Sequence, residues 1–148
     1  MISALNSTAS AGNPDRRKLP GESYGDRWLR LYADDMKIYA RCDLEDLSEI
    51  YDALKNAADA ACSVYNRPCV DTDGPSGGFL NDIGEKLDER RAALIEHVRR
   101  RPLTTEKEWD ACCKILMRYE ADCGAEFEQF SLIIEQMRGK HPALVGRA

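Results

Sequence analysis

The chain has 148 residues, 43% hydrophobic and 32% charged, with a formal net charge of −5. A chain of that length buries roughly 68–70% of its unfolded surface, so one domain fits with no metal or disulfide needed to hold it. No apolar run approaches the ~20 residues that cross a bilayer and none has the form of a signal-peptide core, which argues against a membrane protein and gives the cytosol as the expected compartment.

Residues 1–20 are rich in Ser, Ala, Asn, Gly and Pro, offer few apolar anchors, and read as a flexible N-terminal tail. One helical domain is expected over 21–142, followed by a short C-terminal tail over 143–148. The first helix is predicted over 22–41, from Trp28, Leu31, Ile38 and Cys42 at three- and four-residue steps. Asp35 interrupts that stripe. The second starts after Asp43, a candidate N-cap, and carries Leu44, Leu47, Tyr51, Leu54, Ala58, Ala61 and Tyr65. Pro68 limits its continuation.

Residues 66–78, NRPCVDTDGPSGG, concentrate turn formers and are expected to form a loop. A third helix is predicted over 79–100, with Leu80, Ile83, Leu87, Leu94 and Val98 on one side and Arg90 at the step between Leu87 and Leu94. Pro102 ends it. The last helix has the clearest signal: Thr105 and Glu108 form a capping-box pattern. Trp109, Cys112, Leu116, Tyr119, Cys123, Phe127, Phe130, Ile134 and Met137 then keep a 3-4 rhythm. Uninterrupted, that helix is about 50 Å long at 1.5 Å per residue, against a diameter near ~40 Å for a compact domain of this size. Either Gly124 breaks it or its end projects. Projection is the expectation, because Leu132, Ile133 and Ile134 make the apolar face wide there. The fold class is all-α, a bundle of four main helices with a long last one.

Little catalytic or cofactor chemistry assembles on this frame. A di-metal carboxylate bundle needs Glu three residues before His, but Leu94 precedes His97 and Arg138 precedes His141. Asp71 and Asp73 open like a calcium loop, yet the positions for its Gly and Glu hold Ser76 and Asp82. Gly77 and Gly78 are followed by no Lys-Ser/Thr pair, so they make no P-loop. No catalytic residue, cofactor or metal is therefore expected.

The six cysteines contain no C-x-x-C pair and are expected to be reduced. Cys42, Cys62, Cys112 and Cys123 fall on apolar stripes, leaving Cys69, in the loop, as the expected reactive thiol. A thiol or metal site built from Cys62, Cys112 and Cys123 is one alternative reading.

Charge is unevenly spread. Residues 31–60 carry three positive and eight negative side chains, whereas 90–101 carry five arginines against Glu96. Arg99, Arg100 and Arg101 lie at a helix C-terminus, where cations complement the dipole. They could also serve a nucleic-acid-contacting accessory protein. The acidic remainder, including Glu106, Glu108 and Asp110 at the start of the next helix, disfavours nucleic acid as the partner. Asp35 and Arg90, each breaking an apolar stripe, are expected to pair. If such a pair is buried, removing one member costs on the order of 3–5 kcal/mol.

These features point to a non-catalytic protein-binding module: a regulatory, inhibitory or adaptor protein of the kind carried as accessories by mobile elements and phages. A homodimer is the expected assembly, with Phe127, Phe130, Leu132, Ile133, Ile134 and Met137 as its contact.

Overall fold

The computed structural model describes residues 17–145; the expected tails lie outside them over 1–16 and 146–148. Every regular element among the described residues is a helix: α1 (Tyr24–Leu31), α2 (Ala33–Tyr39), α3 (Leu44–Tyr65), α4 (Pro75–Arg100), α5 (Glu106–Asp122), α6 (Phe127–Gly139) and the four-residue α7 (Pro142–Val145). None is long and apolar enough to cross a membrane.

The expected first helix is two. Ser23 and Asp26 form a capping box that starts α1, and the chain breaks at Tyr32 (φ −115°, ψ 36°) before α2. The break lets both halves use the same partner. Asp26 meets Arg100 at 2.8 Å, while the Tyr32 hydroxyl donates to Glu89 at 2.5 Å. Tyr39 then returns to within 6.1 Å of His97, ring centre to ring centre. Thus α1 runs down α4 and α2 climbs back beside it.

Asp43 caps α3 as expected, its side chain accepting from the Glu45 and Asp46 backbone at 2.8 and 2.9 Å. The 66–78 loop is shorter than expected, because α4 begins at Pro75 with Gly74 as N-cap. Proline's fixed φ and missing N–H suit the first helical position, so Pro75 opens the helix instead of prolonging the turn. Gly77 lies buried inside that first turn, where a Cβ would sit 2.5 Å from the Asp71 carbonyl oxygen. The loop folds onto a helix that presents no side chain there.

The expected long last helix is also two. Thr105 and Glu108 form their capping box and open α5. Hydrogen bonds to Thr104 and Thr105 hold the Glu108 carboxyl down to about 2. At the other end Gly124 takes φ +72°, with Gly124 N–H donating to Ala121 O (3.1 Å) and Ala125 N–H to Glu120 O (2.9 Å). That is the Schellman pairing, which satisfies two terminal carbonyls and stops the helix. The Glu126 N–H, donating to Gln129 Oε1 at 2.8 Å, starts α6 in a new direction. The expected projection is overturned: α6 folds back on α5. The Trp109 indole N–H donates to Met137 O at 2.6 Å, and Lys140 donates to Arg99 O.

The core joins Tyr39 of α2, Leu44, Leu47 and Tyr51 of α3, Leu94, Ile95 and Val98 of α4, Cys112, Ile115 and Leu116 of α5, and Ile133 and Met137 of α6. It therefore lies at one end of the α3–α4 pair. The distal part of that antiparallel pair, beyond Leu54 and before Glu89, contributes nothing to the cluster. At 1.5 Å per residue, residues 75–88 form an arm about 20 Å long.

Candidate functional site

α6 carries apolar residues on more than one face. Ile133 and Met137 are buried in the core, so these two members of the expected contact belong to the fold and not to a free surface. Phe127 is 80% exposed, Ile134 57% exposed, and Phe130 lies half-buried between them. At 100° per residue Phe127 and Ile134 share one face, about 100–120° from Ile133. Leu132 is exposed as well, but on the far side of the helix. The six expected residues thus divide into an outward stripe (Phe127, Phe130, Ile134), a core pair (Ile133, Met137) and a separate Leu132. Met137 lies about 60° from Ile134 around α6, at the edge of the stripe nearer Ile133, so the face turned to the core takes it as well. The turn at Gly124 re-aims the last segment, and Ile133 takes the inward position.

Asp35 and Arg90 come together from α2 and α4, with Arg90 Nε 3.1 Å from Asp35 Oδ2. The contact is an ion pair without an aligned hydrogen bond. The Arg90 guanidinium also lies 5.9 Å from the Tyr32 ring centre. The Arg90 side chain is half exposed, so the cost expected for a buried pair does not carry over. A double-mutant cycle with Asp35→Ala and Arg90→Ala is expected to give a coupling of about 1 kcal/mol or less, measured by urea denaturation. A coupling near 3 kcal/mol would place the pair in a dry site.

Each arginine of the basic run has a partner within the chain, although Arg99 Nε is buried without a hydrogen bond. Arg99 Nη2 meets Glu120 Oε1 at 2.6 Å, and Arg100 bridges Glu96 (2.6 Å) and Asp26 (2.8 Å). Arg101 Nη1 donates to Cys42 O at 2.7 Å. Each arginine ties α4 to another part of the bundle or braces it, which leaves little free charge for a phosphate backbone. Beside them His97 packs between Tyr39 and Arg101; burial first, then the Arg101 charge, lower its tendency to protonate.

All six cysteines are free thiols. Among the described residues no group of three His, Cys, Asp or Glu side chains is placed to hold a metal ion. Cys112 is buried, but Cys62 and Cys123 are exposed, contrary to the expectation that both sit in the core. Cys62 lies on the distal arm and Cys123 at the end of α5, both past the core. Alkylation of native protein followed by mass spectrometry is expected to label Cys62, Cys69 and Cys123 first and Cys112 last, because burial pushes the Cys112 thiol up to about 11. Early modification of Cys112 would contradict its place in the core.

Two features had no clear sequence signal. Tyr51 donates its hydroxyl to Asp122 Oδ2 at 2.6 Å, and the Arg91 guanidinium lies 5.9 and 5.8 Å from the Tyr51 and Tyr119 ring centres. An open groove of about 470 Å³ also separates the starts of α3 and α5, with Asp43, Glu45 and Asp110 facing Lys107, Lys114 and Arg118 around it. Its rim mixes both signs of charge around Leu44 and Ala111, so it offers no strong field of one sign. Among the exposed large apolar side chains, which also include Leu19, Tyr24, Ile38 and Phe79, Phe127 and Ile134 share one helix face. Comparisons with protein-family models, with curated proteins and with solved structures find no match for this chain.

Proposed function

We propose that the chain is a non-catalytic helical protein-binding module whose contact surface is the outward face of α6, taken up in its simplest form by a second copy. One observation carries the reading: Phe127 and Ile134 share a helix face and stand in water, with Phe130 at its margin. Aromatic and aliphatic side chains clustered on one exposed face favour association, since covering apolar surface returns roughly 25 cal/mol per Å². A two-fold contact serves both copies with a single self-complementary patch.

The test is light scattering over a concentration series, comparing wild-type chain with Phe127→Glu/Ile134→Glu and using circular dichroism to check folding. Self-association that the folded double variant loses supports the reading. Monomeric wild-type chain at high micromolar concentration, with no partner from its native host that the double variant fails to bind, would overturn it.

A further inference from the structure

α5 and α6 form a hairpin, yet their sequence reads as one helix. If the segment continued straight through Gly124 at 100° per residue, Cys112, Leu116, Cys123, Phe127, Phe130 and Ile134 would fall within a stripe about 60° wide. α5 buries the first two of these in the core. The hairpin leaves Cys123, Phe127 and Ile134 exposed. Two apolar registers are thus written into α6: one through Ile133 and Met137 that fits the hairpin, and one through Phe127 and Ile134 in phase with α5.

We propose that the Gly124 turn is a hinge through which two copies of the chain exchange α6. In the exchanged form α5 and α6 of each copy run on as one helix, and each α6 docks Ile133 and Met137 into the other copy's core. A lone chain has no reason to open, because withdrawing Ile133 and Met137 leaves a hole in the core cluster and strands the Trp109 indole N–H. The α6 of a second copy carries the same face and restores each lost contact, so reciprocal exchange is the low-cost form of opening. The gain is at the crossing, where the two continuous helices run antiparallel and cover Cys123 and Phe127 with one another.

The hinge is built for this choice. Two hydrogen bonds close the Schellman turn, and both carbonyls they satisfy have helical partners in the straight form. A Cβ on Gly124 would meet nothing within 4 Å, so only its φ of +72° opposes a side chain there. The exchange rests on the binding reading above and specifies how the second copy engages.

Gly124→Ala penalises the left-handed turn and favours the straight helix in both copies, so it is expected to tighten dimerisation on the order of 100-fold or more. Light scattering reads the shift. A Gly-Ser-Gly insertion after Gly124 lengthens the hinge, breaks the phase, and is expected to leave the chain monomeric. The decisive contact is Trp109 to Met137. In a dimer assembled from isotope-labelled and unlabelled wild-type chain, an isotope-filtered nuclear Overhauser experiment is expected to find it between chains. A folded Gly124→Ala chain that stays monomeric overturns the exchange. So does a wild-type dimer in which that contact stays within each chain, an outcome that leaves the binding reading standing. If Gly124→Ala does not fold, the wild-type chain decides, and absence of an exchanged dimer at high micromolar concentration overturns the proposal.

Discussion

Tyr51→Ala is expected to cost about 3–5 kcal/mol, the range for removing a large aromatic side chain from a core. The Tyr51 ring is fully buried, stands edge-on to Tyr119 at 6.4 Å, and lies under the Arg91 guanidinium. Truncation would leave a cavity where α3, α4 and α5 meet. Tyr51→Phe separates shape from polarity, since it keeps the ring and removes only the hydrogen bond to Asp122. That variant is expected to lose about 0.5–1.5 kcal/mol, because Asp122 is exposed and regains water. Burial, and then the Asp122 carboxylate, push the Tyr51 hydroxyl well above the ordinary phenol range, so it stays protonated as a donor near neutrality. Urea denaturation of the two variants checks both values. A cost below about 1 kcal/mol for the alanine would mean that Tyr51 is not a three-helix contact.

Neighbouring isoleucines on α6 are expected to behave in opposite ways. Ile133→Ala removes a buried side chain from the core cluster and is expected to cost about 2–5 kcal/mol. Ile134→Ala trims an exposed side chain and is expected to change monomer stability by no more than about 0.5 kcal/mol. Denaturation at low protein concentration, where association does not contribute, compares them directly. Equal effects would mean that α6 is rotated about its axis relative to the observed packing.

The isoleucine pair also shows where sequence reading succeeds and where it stops. Asp43, and Thr105 with Glu108, marked two helix starts correctly, because a cap is a local device whose chemistry lies within four residues. The all-helical class followed from periodicity in the same way. The ends were harder. Gly124 was visible as a possible break, but the wide apolar face at Leu132, Ile133 and Ile134 favoured a projecting helix. The start of α6 at Glu126 and Gln129 carried a weaker capping signal that could have tipped the balance. The break at Tyr32 has no Gly, Pro or side-chain cap, and it makes sense only once α1 and α2 are seen sharing α4. Periodicity picks out apolar stripes without saying which ones the fold will cover. The basic run showed the same limit: Arg99, Arg100 and Arg101 read as a spot of charge, and only the Glu96–Arg100 pair, one helical turn apart, is local, while Glu120, Asp26 and the Cys42 carbonyl are brought to them by tertiary structure.

The distal α3–α4 arm has a consequence for how stability is shared along the chain. Contacts from other helices gather on residues 44–54 and 89–101, whereas Ala58 and Gly77 are buried in the arm outside the main cluster. Opening the arm exposes comparatively few large side chains and leaves the core assembled, so its backbone can exchange amide protons through local excursions that never unfold the remainder. Leu94, Ile95 and Val98 sit where α3, α5 and α6 converge, and their amides are released only when that assembly comes apart. A single helix, α4, therefore belongs to two cooperative units, with the division falling within its length instead of at either end.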